Sequence, residues 1–271
     1  MRMILLCPFD PVTEEEIAYA RTLLKESRQN KVYLMPWGKG VLSLEARLFL
    51  LENALKHFAK LEVVHTMCKD DTVTLMEGCE ISEERARSGE FFLVPRSVRH
   101  VMLERGWYFE EAARLHCKPS RFEHSKSVAQ TAVVLAQAHH LDEEKAWKAG
   151  ILHDITKAMP MDEARMIVAD GQPALLDMDP KVWHAYTGAV WIKNNLGPVG
   201  DDILHAIEHH TLGDGMSDLD RILYIADKIE PLRGYDTSKE MELAKKDLKK
   251  AAELVLKQSK EYILKTEGKH V

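Results

Sequence analysis

The stretch Ala146-Trp147-Lys148-Ala149-Gly150-Ile151-Leu152-His153-Asp154 decides how the second half of this chain is read. Ala146, Ala149 or Gly150, and His153 fall on one side of a helix, so the small residues predict close packing and the His-Asp pair points inward from the helix end. Inward-facing charge demands a partner. An imidazole beside a carboxylate supplies adjacent ligands to a divalent cation, and the carboxylate has two oxygens with which to bridge two cations.

Further ligands are sought among His and Asp residues on apolar helix faces. His124 is followed by Val128, Ala132 and Leu135 at helical spacing, and His210 shares a stripe with Ile203 and Ile207. Asp227 follows the apolar run Ile222-Leu223-Tyr224-Ile225-Ala226, where an unpaired carboxylate would be costly to bury. His184, between Trp183 and Ala185, starts another helix. His139, His140, His205 and His209 are expected at the surface. A single histidine on an apolar face is more often a hydrogen-bonded core residue; His124, His153, Asp154, His184, His210 and Asp227 taken together point to metal. The set contains no thiolate and suits iron, manganese, nickel, cobalt or zinc. Four imidazoles and two carboxylates fit two ions more naturally than one.

Composition bounds the rest. The 271 residues are 45% hydrophobic and 30% charged, with 14 Gly and 10 Pro, as in an ordinary globular chain. The net charge of -6 leaves no basic surplus for holding nucleic acid, and the apolar runs are far too short to span a bilayer, so a cytoplasmic location is expected. Cys7, Cys68, Cys79 and Cys117 are irregularly spaced with no C-x-x-C pair, which indicates neither a disulfide framework nor a zinc ribbon; free thiols are expected. Of 13 histidines, eight fall between His124 and His210.

Two domains are expected. Residues 1–115 alternate strand-like and helix-like segments: strands at Met3 to Cys7, Lys31 to Met35 and Val63 to Cys68, a helix opening at Thr13 with Glu16 as in a capping box, and a helix from Leu44 to Leu61 with Leu44, Leu48, Leu51 and Leu55 on its apolar face. That order predicts a small parallel-sheet α/β unit. Residues 119–265 read as an all-α domain, its helices separated at Met159-Pro160, Gly171-Gln172-Pro173, Asp179-Pro180, Gly197-Pro198, Gly213-Asp214-Gly215 and Pro231 to Gly234. Its last helix is expected over Lys239 to Lys265.

In order, Arg121-Phe122-Glu123-His124-Ser125, Leu152-His153-Asp154-Ile155-Thr156-Lys157, Trp183-His184-Ala185, Ile207-Glu208-His209-His210-Thr211 and Ile225-Ala226-Asp227-Lys228-Ile229-Glu230-Pro231-Leu232-Arg233 resemble the signature of the HD superfamily of metal-dependent phosphohydrolases. The resemblance covers residues 119–265. It is nearest to the bacterial branch that cleaves diadenosine tetraphosphate symmetrically to two ADP, which implies a dinuclear centre, often of iron. On that reading one ion is expected at His124, His153, Asp154 and Asp227 and the other at Asp154, His184 and His210, with Asp154 between them and a shared hydroxide attacking phosphorus. Asp154, Lys157 and Arg233 are the expected catalytic residues. Lys157, Arg233, Thr211 and Arg121 are expected on the phosphates of a small nucleotide. Other readings are a mononucleotide, deoxynucleotide or cyclic dinucleotide as substrate, or a nucleotide sensor without turnover. A homo-oligomer is compatible with the sequence.

The first half carries a fainter resemblance to nicotinate-nucleotide adenylyltransferase. Cys7-Pro8-Phe9-Asp10-Pro11 stands where that family has G-G-S-F-D-P, and Phe92-Leu93-Val94-Pro95-Arg96-Ser97-Val98 through Gly106-Trp107-Tyr108 is similar to its C-terminal end. The family's phosphate-binding H-x-G-H is here Thr13-Glu14-Glu15-Glu16, which puts acids where a triphosphate would sit. Its I-S-S-T-x-I-R segment is reduced to Ile81-Ser82-Glu83-Glu84-Arg85-Ala86-Arg87. A degenerate domain that has lost adenylyl transfer is expected.

Overall fold

The computed structural model describes residues 2–267. The chain forms two compact units: one runs up to Tyr108 and includes Asn195–Gly197, and the other comprises Phe109–Asn194 and the chain from Pro198 onward.

The first unit contains β1 (Met3–Cys7), α1 (Glu14–Glu26), β2 (Val32–Pro36), α2 (Leu44–Leu55), β3 (Leu61–Val63), β4 (Thr72–Leu75), α3 (Cys79–Arg87) and α4 (Arg96–Arg105). Its sheet is parallel with strand order β3-β2-β1-β4, and Ile4 pairs with Tyr33 on one side and Val73 on the other. A strand flanked on both sides needs an apolar run, and Ile4 and Leu5 of β1 are fully buried. The Thr13 N–H donates to Glu16 Oε2 at 2.6 Å, so the expected capping box opens α1.

Three expectations in this unit are corrected. The third strand is Leu61–Val63, not Val63 to Cys68, because its pairing with β2 stops at Leu34; β4 was not anticipated, its short Thr-Val-Thr-Leu alternation being that of a half-exposed edge. Helix α2 ends at Leu55, where Phe58 N–H turns back to the Leu55 carbonyl and frees Leu61 for the sheet. Its buried face is Arg47, Leu50, Leu51, Ala54 and Leu55, while Leu44 is exposed. Arg47 holds a core-face position because its guanidinium donates to the carbonyls of Pro8 and Gly38, both at 3.0 Å.

The second unit contains α5 (Phe109–His116), α6 (Pro119–Ala138), α7 (Glu143–Leu152), α8 (Met161–Gly171), α9 (Trp183–Asn195), α10 (Asp201–His209), α11 (Asp218–Ile229), α12 (Ser238–Ala244) and α13 (Leu248–Glu267). No strand occurs here among the described residues, and each expected break lies between the α-helices except that Gly171 is still the last residue of α8. Helices α6 and α7 meet at Gly150, where a Cβ would come within 2.4 Å of the Ala129 Cα. Only glycine permits that approach, which brings the His124 region of α6 close to the end of α7. Helix α11 presents Ile222, Leu223, Tyr224, Ile225 and Ala226 to the core, all 2% exposed or less. The single helix expected over Lys239 to Lys265 is two, because Asp247 caps a new start: its Oδ1 accepts the Lys250 N–H at 3.0 Å. No helix among the described residues is long and apolar enough to cross a membrane.

Candidate metal centre

His124 projects from α6. His153 and Asp154 follow the last residue of α7, His184 is the second residue of α9, His210 follows α10, and Asp227 lies near the end of α11. All six side chains are buried, and all belong to the second unit.

Their hydrogen bonds decide which nitrogen each imidazole turns inward. Nδ1 of His153 donates to the Gly150 carbonyl at 2.7 Å, Nδ1 of His184 to Lys181 at 2.8 Å and Nδ1 of His210 to Ile207 at 2.6 Å. A carbonyl only accepts, so the proton is on Nδ1 and the Nε2 lone pair faces the centre. The same device recurs three times: each histidine bonds the carbonyl three residues before it. His124 Nδ1 is instead held by Glu230 Oε1 at 2.9 Å. This is the outer hydrogen bond that orients a metal-ligating histidine.

The Nε2 atoms gather around the two aspartates. Asp154 Oδ1 lies 3.0 Å from His184 Nε2 and 3.7 Å from His210 Nε2, while its Oδ2 lies 3.6 Å from His153 Nε2 and 4.0 Å from His124 Nε2. Asp227 Oδ1 is 3.0 Å from His124 Nε2 and 3.8 Å from His153 Nε2. Despite these approaches, the buried Nε2 atoms of His124 and His153 make no well-formed hydrogen bond. Two orphaned nitrogens beside two carboxylates fit a divalent cation of the borderline class, and the ligand atoms of His124, His153 and Asp227, and of His153, Asp154 and His210, lie within 4.8 Å of one another.

Burial and mutual contact also set the charge of these groups. Burial pushes His153 down to about 4, partly offset by Asp154, and burial likewise lowers His184 and His210. Burial pushes Asp154 up, but the His153, His184 and His210 imidazoles outweigh it and hold the carboxyl well below its usual range. For Asp227 burial is outweighed by Lys228, His124, His153 and Arg233. His124 moves the other way: Asp227 and Glu230 raise it against burial. Three imidazoles are thus kept neutral and both carboxylates ionised, which are the forms that bind metal.

Above the centre opens a cavity of about 260 Å³ lined by Asp154, His184, His210 and Asp227 together with Arg121, Lys157, Lys181, Thr211, Lys228 and Arg233. The residues anticipated on phosphate, Arg121, Lys157, Thr211 and Arg233, therefore all border the same space. Arg121 Nη1 donates to Asp154 Oδ2 at 2.9 Å, Lys228 Nζ to Asp227 Oδ2 at 2.7 Å, and Arg233 Nη2 to Asp227 Oδ1 at 2.6 Å. Lys157 Nζ sits 2.9 and 3.0 Å from the two ring nitrogens of His184, and burial lowers its pKa, with Asp154 opposing. Lys181, Lys228 and Glu230 were not singled out from sequence; Glu230 lies just past the end of α11 in extended backbone, so helical spacing does not mark it. Of the histidines expected at the surface, His139 and His209 are half-buried; His139 Nε2 donates to the Ala244 carbonyl at 2.6 Å, a partner that no local pattern reveals, and His209 Nδ1 lies 2.7 Å from Asp214 Oδ1.

Residues 121–232 match the model of the HD domain family. The chain is 38% identical over 149 residues to a Bacillus subtilis protein named bis(5'-nucleosyl)-tetraphosphatase, symmetrical, a match that spans 54% of this chain and 80% of that protein. It is 33% identical over 200 residues to a Mycoplasma pneumoniae protein named probable nicotinate-nucleotide adenylyltransferase/Ap4A hydrolase, covering 68% of this chain and 57% of that one. A crystal structure described as a predicted HD superfamily hydrolase involved in NAD metabolism from Clostridium acetobutylicum superposes with a TM-score of 0.54 at 30% identity, over 59% of this chain and 87% of that one. With four imidazoles and two carboxylates gathered under a cationic cavity, and with relatives of this likeness, the chain belongs to the HD-domain hydrolases represented by the symmetrical bis(5'-nucleosyl)-tetraphosphatases.

Proposed function

We propose that this protein hydrolyses diadenosine tetraphosphate symmetrically to two ADP, using a pair of metal ions, with iron the foremost choice and manganese, nickel, cobalt or zinc compatible with the donors. The observation that carries the reading is the convergence of imidazole Nε2 atoms on both oxygens of Asp154. Its Oδ2 faces His124 and His153, on the side of Asp227, and its Oδ1 faces His184 and His210. On this reading Asp154 would be shared between two ions, with His124, His153 and Asp227 holding one and His184 and His210 the other. When bound, such ions bring water into its ionised form near neutral pH and neutralise phosphate oxygens.

The chain's own groups do the rest. The Nδ1 anchors hold four rings so that binding costs no reorientation, and Glu230 adds basicity at His124. Arg121, Lys228 and Arg233 now pair with the aspartates. With metal held by those carboxylates, Arg121, Lys228 and Arg233 would bind phosphate oxygens instead, joined by Lys157 and by the Thr211 hydroxyl. Water oxygen joins one phosphorus beside the central bridge, the bridging P–O bond breaks, and the departing ADP keeps the bridging oxygen. In the first unit, Glu14 and Glu15 stand exposed in the first turn of α1 and Glu16 is buried beneath them, an arrangement that repels a triphosphate and supports loss of adenylyl transfer.

Product identity tests the reading. Metal-reconstituted protein is expected to convert diadenosine tetraphosphate to two ADP, while ATP plus AMP, or cleavage only of mononucleotides or cyclic dinucleotides, contradicts it. His153→Ala and Asp154→Ala are each expected to lower kcat/KM by more than the roughly 10–100-fold typical of losing an outer partner. Equal activity in all three proteins contradicts metal catalysis.

A further inference from the structure

A second cluster of ligand-type side chains lies in the first unit. Cys7 ends the central strand β1, Glu16 is in the first turn of α1, and Cys79 and Glu83 stand one turn apart on the same face of α3. None of the four is more than 3% exposed. Their ligand atoms all lie within 4.8 Å of one another. We propose that Cys7, Glu16, Cys79 and Glu83 form a site for one thiophilic divalent cation of the zinc class, held by two thiolates and two carboxylates.

The direction of the carboxylates is the first argument. Each glutamate has one oxygen occupied by the surrounding backbone or by a cation: Glu16 Oε2 accepts the Thr13 N–H, and Glu83 Oε2 faces Arg87 Nη1 at 3.4 Å. The other two oxygens turn inward onto one sulfur, Glu16 Oε1 at 2.8 Å and Glu83 Oε1 at 3.5 Å from Cys7 Sγ, the latter also accepting the Asp10 N–H at 3.2 Å. Glu16 Oε1 meets the Cys7 thiol, which is a weak donor, and the Glu83 carboxyl, and burial together with Glu83 holds the Glu16 carboxyl well above its usual range. Two buried carboxyl groups facing each other across sulfur, with no cation on the inner side, make a costly arrangement that a divalent ion relieves.

Spacing and donor type are the second argument. Zinc binds sulfur at about 2.3 Å and carboxylate oxygen at about 2.0–2.2 Å, so neighbouring ligand atoms around one ion lie roughly 3.5 Å apart. The Glu83 Oε1 to Cys7 Sγ separation, 3.5 Å, is of that size; Glu16 Oε1, at 2.8 Å, is closer and would have to draw back to share an ion, and all four ligand atoms lie within 4.8 Å of one another. Two sulfurs exclude magnesium and calcium, which take oxygen, and a full set of four protein ligands is the pattern of a structural site. The position suits such a role, since one ion would tie the end of the central strand to the first turns of α1 and α3. Three of the four, Cys7, Glu16 and Glu83, stand where the sequence departs from the adenylyltransferase pattern.

Sulfur makes the test independent of the histidine centre. Full-length protein, stripped of metal under reductant, is titrated with Co²⁺ and followed by absorption for the near-ultraviolet thiolate-to-cobalt charge-transfer band, which imidazole and carboxylate ligands do not produce. The band is expected in the wild type, lost in Cys7→Ser and in Cys79→Ser, and retained in Cys68→Ser and Cys117→Ser. The two variants that lose it are expected to bind one ion fewer per chain while keeping their hydrolase activity. Absence of the band from the wild type overturns the proposal whatever the variants do. A band that persists in both site variants, or a disulfide joining Cys7 to Cys79 in place of metal, overturns it as well.

Discussion

Glu230 accepts the Nδ1 proton of His124 through Oε1 and the Leu232 N–H through Oε2, so one buried side chain aims the His124 ring and closes the turn after α11. Glu230→Gln preserves the shape but lowers the basicity of His124. Metal affinity is expected to fall by about 10–100-fold with little loss of helicity, read by titration of the stripped protein. Arg121 makes a charge-assisted bond at the mouth of the cavity, and Arg121→Ala is expected to lower kcat/KM by about 30-fold, the equivalent of roughly 2 kcal/mol for a hydrogen bond to a charged group. The buried His153 also sets a pH response in the metal-free chain. Its folded value, near 4, lies below its unfolded value of about 6.5, so the folded state binds fewer protons between them. Its contribution to stability is complete above about pH 6.5 and is lost as pH falls toward 4; denaturation midpoints of chelated protein should fall through that window, and less so in His153→Ala. His124, His210 and Asp227 were legible because each interrupts an apolar stripe, His153 and Asp154 because they end a helix of small, inward-facing residues, and His184 only through the family pattern. Glu230 was not, since its neighbour His124 is over a hundred positions away and no periodicity links them.

At the scale of helices, Gly150 governs how α6 and α7 meet. Replacing glycine by alanine in a helix interior ordinarily stabilises by about 1 kcal/mol, but here the added methyl would sit 2.4 Å from the Ala129 Cα and 2.8 Å from its nitrogen. Backbone cannot yield as a flexible side chain does, so Gly150→Ala is expected to destabilise by about 1–3 kcal/mol in chemical denaturation and to weaken metal binding, because the Gly150 carbonyl also anchors His153. Helix existence was readable from spacing and from the Pro and Gly breaks. The face was not always readable: α2 buries Arg47 and exposes Leu44 because two backbone carbonyls wait for the guanidinium, a fact of tertiary placement. The break between α12 and α13 had a local signal, Asp247 ahead of Lys250, but the surrounding Lys-rich run concealed it.

Over the whole molecule the charge is negative, yet Arg121, Lys157, Lys181, Lys228 and Arg233 line one cavity against Asp154 and Asp227. A polyanionic substrate is attracted by that local field and not by the net charge. Raising ionic strength across the physiological range is expected to increase KM for diadenosine tetraphosphate while bound metal stays constant, since partly exposed cations are screened and buried ligands far less so. A salt-independent KM would place the phosphates elsewhere.

From the sequence alone came the two fold classes, the positions of most helices, and the residue types that gather in the second unit, because hydrophobic period and turn chemistry act over a few residues. Tertiary structure decided what depends on distant partners. Strand β4 lies beside β1 and not at the far edge, and α3 after it sets Cys79 and Glu83 against Cys7 and Glu16. Likewise the ring nitrogen that each histidine offers is chosen by a carbonyl or carboxylate that only the folded chain brings within reach.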